Sequence, residues 1–217
     1  MDVTHESKHF FLTGPTGQLE AVLWTPMGRA PVMASLVCHP HPLFGGTLHN
    51  KVVYNTAKSL DALGLAVLRF NFRGTGRSEG KHDRGDGERD DVRAALNFLA
   101  SEFPGLPTLV AGFSFGCWVG FRVGCEDDRL KLLIGLGTPV NSTDFSFLRR
   151  CAKPKLFVHG GKDQFGDAAK LRALVDSLPG ENQLVVVDDA DHFFAGKLDR
   201  LNAAITDWTA ARLPIPL

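Results

Sequence analysis

The stretch LPTLVAGFSFGCWVG, residues 106–120, joins two apolar runs through a Gly-x-Ser-x-Gly pattern. The first run predicts a buried strand and the second a helix, so the chain must turn sharply between them. On such a turn Ser114 projects clear of the backbone, and Gly112 and Gly116 keep side chains away from the neighbouring strand and helix. The structural alternative is a glycine-rich turn with a capping serine. The stretch therefore predicts a strand-turn-helix unit of an α/β fold, with Ser114 as a candidate nucleophile.

The rest of the chain repeats this alternation of strand and helix. Residues 9–14 and 18–26 predict an antiparallel hairpin, because a Pro-Thr-Gly turn separates two strand-like runs. Further strands are predicted at residues 32–40, 65–72, 106–114, 130–139, 154–160 and 183–190, and helices at residues 50–64, 86–103, 115–124, 166–180 and 195–213. This order predicts a mainly parallel sheet with helices on both faces, in a single domain spanning residues 1–217.

Composition and charge argue against several classes of partner. Basic and acidic residues number 24 each, so no surplus of positive charge favours nucleic acid or an anionic membrane. No window reaches the ~18 to 20 apolar residues that a membrane span needs. The four cysteines form no Cys-x-x-Cys pair, which is typical of free thiols in a reducing compartment. We expect a cytoplasmic protein without a cofactor.

Two further polar residues follow later predicted strands. A serine nucleophile needs a base within hydrogen-bond reach and a third group that orients the base. Asp163 follows the strand at 154–160, and His192 follows the last strand. Because the carboxyl ends of parallel strands meet at one edge of the sheet, we expect Ser114, Asp163 and His192 to form a catalytic triad there.

Each assignment has an alternative. Asp163 is also compatible with a solvated turn or with a cap of the helix that begins near Asp167, and His192 is one of eight histidines. Rival acids stand near the base, at Asp188, Asp189 and Asp191. An acid adjacent to His192 has difficulty reaching the far ring nitrogen, so Asp163 is preferred.

The loop CHPHPLFGGTLHN, residues 38–50, is expected to complete an oxyanion hole. Acyl transfer needs donors aimed at the developing negative charge, and the backbone N–H of Phe115, directly after the nucleophile, is one. Two prolines stiffen the loop and two glycines let its backbone pass close to a substrate. The first free donors beyond Pro42 are Leu43 and Phe44. Leu43 is taken as the second donor, with His41 in reserve.

The same loop is compatible with a metal site. His39 and His41 point to one side of an extended chain, and His49 or Cys38 could complete a ligand set. A metal site usually needs a ligand from another element, and the late acid and base already have better roles. We therefore assign no metal ligand and expect His39 and His41 to brace the loop through hydrogen bonds.

Together these motifs resemble the α/β-hydrolase superfamily, in particular its small, lidless bacterial serine hydrolases. The resemblance rests on HPHPLFGGT with NKVV, on FNFRGTGRSEG and on GFSFG, and it runs from about Gln18 to Trp208. It implies an eight-stranded, mostly parallel sheet without a cap domain, a Ser114, His192 and Asp163 triad, and hydrolysis through an acyl-enzyme. Dienelactone hydrolases are similar in size, but they use a cysteine nucleophile. Arg73, in the second motif, is interpreted as structural, with a substrate role as the alternative.

The expected crevice is open and apolar. About 15 residues separate the strands at 130–139 and 154–160, too few for a helical cap. Six apolar residues are expected to line the crevice: Leu43, Phe44, Phe113, Phe115, Phe193 and Phe194. This lining favours carboxylic esters with small or medium acyl chains. The alternatives are a peptidase or amidase acting on small substrates, a metal-dependent hydrolase, and a non-catalytic binding protein with the same fold.

Overall fold

Eight strands form one sheet in the computed structural model, which describes residues 5–213. They are β1 (His5–Gly14), β2 (Gly17–Pro26), β3 (Ala34–Cys38), β4 (Ala66–Phe70), β5 (Thr108–Phe113), β6 (Leu130–Leu136), β7 (Lys155–Gly160) and β8 (Asn182–Val187). Their order across the sheet is β1-β2-β4-β3-β5-β6-β7-β8. The hairpin β1-β2 and the pair β2-β4 are antiparallel, and all other pairs are parallel. The predicted eight-stranded, mostly parallel sheet is confirmed.

The inner strands are buried on both faces. Every residue of β3, β4, β5 and β7 is buried, without the alternation of a half-exposed strand. This pattern arises because helices cover both sides of a parallel sheet. The edge strands β1 and β8 keep exposed or half-buried positions along most of their length. The carboxyl ends of the buried strands are therefore fixed by the core.

Five α-helices cover the sheet: α1 (Lys51–Ala62), α2 (Asp86–Glu102), α3 (Phe115–Glu126), α4 (Ala168–Asp176) and α5 (Leu198–Ala210). The apolar sides of α1 and α5 pack in one core cluster on one face, and those of α2, α3 and α4 pack in a second cluster on the other. Within residues 5–213, no helix is long and apolar enough to cross a membrane.

The carboxyl edge of the sheet carries no inserted helical domain in the described chain. Between β6 and β7 lies only a short 3₁₀ turn at Ser146–Arg150. A second 3₁₀ turn, Pro42–Phe44, stands on the loop after β3. The crevice at this edge is therefore bordered by loops and by the first turn of α3, without a cap.

The turn between β5 and α3 brings backbone into close contact with backbone. A Cβ atom on Gly112 would lie 2.3 Å from the carbonyl oxygen of Gly116, in the first turn of α3. A Cβ atom on Gly116 would lie 2.4 Å from the carbonyl oxygen of Cys38, at the end of β3. Real Cβ atoms do not approach backbone this closely, so both glycines are required by space. Helix α3 thereby packs directly against the ends of β3 and β5.

We expect Gly112→Ala to lower the free energy of unfolding by more than about 4 kcal/mol, because the colliding atoms are backbone and cannot rotate away. Urea denaturation followed by circular dichroism measures this difference. If the variant unfolded at the wild-type urea concentration, the packing of α3 on β5 would be looser than described.

Gly120→Ala, one turn further along α3, is the matched control. Its Cβ would lie 3.2 Å from a methyl group of Val110, a side chain that can shift slightly. Alanine also favours a helix by about 1 kcal/mol over glycine. We expect the free energy of unfolding of this variant to stay within about 1 kcal/mol of the wild type.

Candidate active site

Ser114 stands in a strained backbone conformation at the turn between β5 and α3. Its φ of 54° and ψ of −116° lie outside the regions that L-residues favour. Such a conformation costs on the order of 1 to 3 kcal/mol and persists only where the surroundings hold it. The N–H of Ser114 donates to the carbonyl of Leu136 over 2.8 Å, which ties the turn to β6. The side chain is thus held half-exposed at the N-terminus of α3.

Asp163 and His192 meet through a short hydrogen bond. His192 Nδ1 lies 2.7 Å from Asp163 Oδ2, and both side chains are almost fully buried. The other oxygen of Asp163, Oδ1, accepts from the N–H groups of Phe165 at 2.8 Å and Gly166 at 3.2 Å. The carboxylate therefore has hydrogen-bond partners on both oxygens, as a buried polar group needs. The loops after β7 and β8 are joined at this contact.

Ser114 and His192 lie in the same pocket without a hydrogen bond between their side chains. Both residues line the same pocket. Among the described side chains, the Ser114 hydroxyl makes no hydrogen bond to His192. Catalytic hydrogen bonds are often longer before substrate binds.

The other acids near His192 in the sequence, at positions 188, 189 and 191, form no hydrogen bond with its ring in the described structure. Asp191 Oδ1 accepts from the N–H groups of Phe193 and Ala195, both at 3.0 Å, and so closes the turn that carries His192. Asp189 is exposed and lies 3.5 Å from Lys197 Nζ. Asp188 is exposed as well. Asp163 is the acid that reaches the Nδ1 atom of His192.

His39 holds the loop at residues 38–50 against the chain that follows β4. Its Nδ1 donates to the carbonyl of Pro40 at 2.6 Å, and its Nε2 accepts from the N–H of Phe72 at 3.0 Å. These partners fix the tautomer, because a carbonyl can only accept and an N–H can only donate. Burial lowers the pKa of His39 to about 4. The ring is therefore a neutral, fully buried brace.

His41 organises the turn that follows. Its Nδ1 accepts from the N–H of Leu43 at 3.2 Å. Partial burial and the nearby His82 lower the pKa of His41, which keeps this nitrogen available as an acceptor. Its ring lies 4.9 Å from that of Phe115, centroid to centroid. Both loop histidines thus form hydrogen bonds, as expected.

Some backbone N–H groups of this loop already have a hydrogen-bond acceptor and others do not. The N–H of Leu43 is directed to His41 Nδ1, and that of Phe44 donates to the carbonyl of His41 at 3.1 Å. Within the described chain, no acceptor pairs with the N–H of His41 or with that of Phe115. The N–H of Leu43, the donor expected from the sequence, is thus already bonded, whereas the N–H of His41, the reserve, is free of an acceptor among the described residues.

The pocket encloses about 410 Å³ and is walled mainly by rings. Its lining comprises Pro40, His41, Phe44, Gly45, Gly46, Asn50, Ser114, Phe115, Trp118, Pro139, Ser142, Thr143, Phe165, His192 and Phe193. Phe44, Phe165 and Phe193 are each about half exposed or more, at 86%, 47% and 49%. Exposed aromatic side chains thus gather around the mouth of the pocket, a concentration typical of binding sites.

Known proteins with this architecture are α/β hydrolases. A solved α/β serine hydrolase without a lid from Xanthomonas campestris superimposes with a TM-score of 0.90 at 34% identity, covering 98% of this chain and 97% of that one. An α/β serine hydrolase homologue from Coxiella burnetii gives 0.87 at 38% identity, over 92% and 96%. Residues 44–207 match the family described as alpha/beta hydrolase domain. The chain belongs to this family.

A further relative matches over most of its length. An uncharacterized protein of Rickettsia prowazekii is 38% identical over 210 residues, which is 91% of this chain and 87% of that protein. The family resemblance stated from the motifs is confirmed, and the general activity is that of a hydrolase.

Three residues expected in the crevice of this α/β hydrolase lie elsewhere. Phe113 and Phe194 are fully buried in the core and do not line the pocket. The ring of Phe113 instead supports His192 from below, with the centroids 4.8 Å apart. Leu43 is 70% exposed and points away from the lining. The expected lining residues Phe44, Phe115 and Phe193 are in place.

Other lining residues of this α/β hydrolase were not anticipated. Trp118 lies one helical turn after Ser114, on the same side of α3, so the spacing of four could have found it. Phe165 follows Asp163 by two positions and stacks edge-on against His192, at 4.7 Å between centroids. Asn50, Pro139, Ser142 and Thr143 carry no pattern in the sequence that marks them as lining.

Arg73 is a structural residue of the turn after β4. Its guanidinium donates to both oxygens of Asp91 on α2, with Nη2 at 2.8 Å from Oδ1, and its N–H donates to the same carboxylate. The pair is buried, and Arg73 does not line the pocket. The structural interpretation of this arginine agrees with the contacts.

The metal alternative finds little support in the loop. Both nitrogens of His39 and the Nδ1 of His41 already form hydrogen bonds. Within residues 5–213, no group of three histidine, cysteine, aspartate or glutamate side chains is close enough to hold an ion.

We expect acid to destabilise the fold through His39. The imidazole has a pKa of about 4 when folded and about 6.5 when exposed, so below pH 6.5 the unfolded chain binds one proton more. Stability conferred by the neutral ring is present above pH 6.5 and is lost as the pH falls towards 4, at up to about 1.4 kcal/mol per pH unit. Urea denaturation at pH 7 and pH 5 measures this loss.

His39→Gln removes the titrating group. Its free energy of unfolding should be lower than that of the wild type at pH 7 but should change less between pH 7 and pH 5. His9→Gln is the control, because His9 is exposed on β1 and its replacement should leave the dependence unchanged. An identical slope in the wild type and in His39→Gln would contradict the assignment of a neutral His39.

Proposed function

We propose that this α/β hydrolase is a serine carboxylesterase that cleaves small or medium acyl esters through an acyl-enzyme. The observation that carries the proposal is the 2.7 Å contact of Asp163 with His192, in the same pocket as the strained Ser114. A buried carboxylate on the far nitrogen of a histidine orients that ring as a general base. Among the described lining residues, Ser114 is the hydroxyl that stands on a strained turn at a helix N-terminus.

In the proposed first step, the Ser114 oxygen attacks the ester carbonyl. His192 Nε2 accepts the hydroxyl proton, while Nδ1 stays bonded to Asp163. The imidazolium is stabilised by the carboxylate, which keeps its own charge. His192 then gives the proton to the leaving alcohol, and the acyl group remains on Ser114.

The negative charge on the carbonyl oxygen is held by backbone donors. The N–H of Phe115 lies at the N-terminus of α3, where the helix dipole favours an anion. The N–H of His41 is the proposed second donor, since it lacks an acceptor among the described residues and His41 lines the pocket. Removing one such donor typically costs about 3 to 4 kcal/mol of transition-state stabilisation.

In the second step, His192 removes a proton from water, and the resulting hydroxide attacks the acyl-enzyme. The acid is released and Ser114 recovers its proton. A pocket of about 410 Å³ with aromatic walls suits an uncharged acyl group of small or medium size. The cysteines at 38, 117, 125 and 151 are free thiols, which fits a protein that works in the cytoplasm.

We expect Ser114→Ala to lower kcat for p-nitrophenyl butyrate by about 10⁴-fold or more, because the nucleophile is lost. Its melting temperature should match that of the wild type, since alanine fills the same space. Ser101→Ala, an exposed serine on α2, is the control and should keep full activity. Full activity in Ser114→Ala would contradict the proposal.

A fluorophosphonate probe separates the enzyme from a binding protein of the same fold. Labelling at Ser114 supports a reactive serine, and folded protein that resists the probe would favour the binder. Comparing p-nitrophenyl butyrate with the matching p-nitroanilide tests the amidase alternative, which predicts faster turnover of the amide.

Asp163→Asn should reduce kcat by about 10³ to 10⁴-fold, because an amide favours the wrong tautomer of His192 and does not stabilise the imidazolium. Asp188→Asn removes an exposed acid from the loop after β8 and should leave kcat unchanged. Steady-state kinetics on one ester measures both variants. If Asp188→Asn lost the activity and Asp163→Asn kept it, the acid would be misassigned.

A further inference from the structure

His159 is a fully buried histidine that the proposed chemistry does not use. It lies on β7, and its side chain has no exposed surface. Its Nε2 donates to the carbonyl of Gly166 at 2.7 Å. Its Nδ1 is buried without a hydrogen-bond partner among the described residues.

An unpaired buried nitrogen makes histidine a costly choice for an inner strand. Leaving a buried polar atom without a partner destabilises a fold, and an aliphatic residue would avoid that penalty. The inner strands β3, β5 and β6 are mostly filled with aliphatic and aromatic side chains. The single bond from Nε2 must therefore confer something that an apolar residue cannot.

That bond holds the loop that carries Asp163. Gly166 accepts from His159 through its carbonyl and donates its own N–H to Asp163 Oδ1 at 3.2 Å. His159 Nε2 also lies 3.7 Å from Asp163 Oδ2, the oxygen that receives the hydrogen bond of His192. The N–H of His159 thus acts on both oxygens of Asp163. It holds Gly166, which donates to Oδ1, and its own dipole lies close to Oδ2.

The packing leaves the loop little freedom. A Cβ atom on Gly166 would lie 2.3 Å from the carbonyl oxygen of Thr138 and 2.7 Å from Cε1 of His159. The backbone of residue 166 is therefore enclosed between the exit of β6 and the imidazole ring. A residue without the N–H donor would leave the carbonyl of Gly166 unpaired in this enclosure.

We infer that His159 is a positioning residue for the proposed triad: its Nε2–H, bonded to Gly166, fixes the orientation of Asp163 towards His192. The inference rests on the proposed function. His159 does not line the pocket, so it acts through Asp163 and not on the substrate. Loss of the bond affects the turnover step through Asp163, and Phe165 is the one described lining residue of the pocket that stands on the same loop.

A matched pair of substitutions tests this role. Glutamine can place an amide N–H close to the position of the histidine Nε2, and methionine has a similar length without a donor. We expect His159→Met to lower kcat for p-nitrophenyl butyrate by about 10 to 100-fold with little change in KM, because a small misplacement of a catalytic group costs about this much. His159→Gln should recover most of the wild-type kcat.

The outcomes separate positioning from simple packing. Leu99→Ala, on α2 away from the pocket, is the control: it lowers the melting temperature and should keep the wild-type kcat at temperatures where it is folded. Equal losses of kcat in His159→Gln and His159→Met, unchanged kcat in folded His159→Met, or a rise in KM alone would each overturn the inference. If the wild type hydrolysed no ester, the proposed function itself would fail.

A measurement on the wild-type protein keeps the test decisive if His159→Met does not fold. Nitrogen-15 NMR of the histidine rings distinguishes the two neutral tautomers. We expect His159 to carry its proton on Nε2, with a hydrogen-bonded N–H protected from exchange with solvent. A proton on Nδ1 would overturn the inference, whatever the activity of the variants.

Discussion

The contact of α3 with the ends of β3 and β5 is the constraint on which the site depends. Gly112 and Gly116 let backbone approach backbone without intervening side chains. This approach accompanies the strained conformation of Ser114, places Phe115 at the helix N-terminus, and brings the loop after β3 beside the serine. One packing contact therefore sets both the proposed nucleophile and one wall of the proposed oxyanion hole.

The carboxylate of Asp163 is a second point at which separate segments of the chain are joined. It receives hydrogen bonds from its own loop and from His192, and its loop is tied to β7 through His159 and Gly166. The loop with Asp163 begins at the fully buried strand β7, so the sheet limits its position. The proposed acid and base are thereby held by a network that spans the exits of β6, β7 and β8.

Histidine serves three different purposes around this one pocket. His39 is a neutral brace with both nitrogens bonded, His41 folds its own turn, and His192 contacts Asp163 and faces the pocket. A residue type alone therefore does not reveal a role. The hydrogen-bond partners of each ring nitrogen distinguish a brace from a proposed base, and those partners come from distant parts of the chain.

The sequence by itself determined the order of strands and helices, because apolar periodicity and turn residues are local properties. It also singled out Ser114, Asp163 and His192, since in a parallel sheet the residues after the strands gather at one edge. Only the tertiary structure decided that the N–H of Leu43 is bonded while that of His41 has no acceptor within residues 5–213. It likewise decided that Phe113 supports His192 from the core while Trp118 and Phe165 face the pocket. These outcomes depend on competition for hydrogen-bond partners and for space among segments far apart in the chain, which no local pattern records.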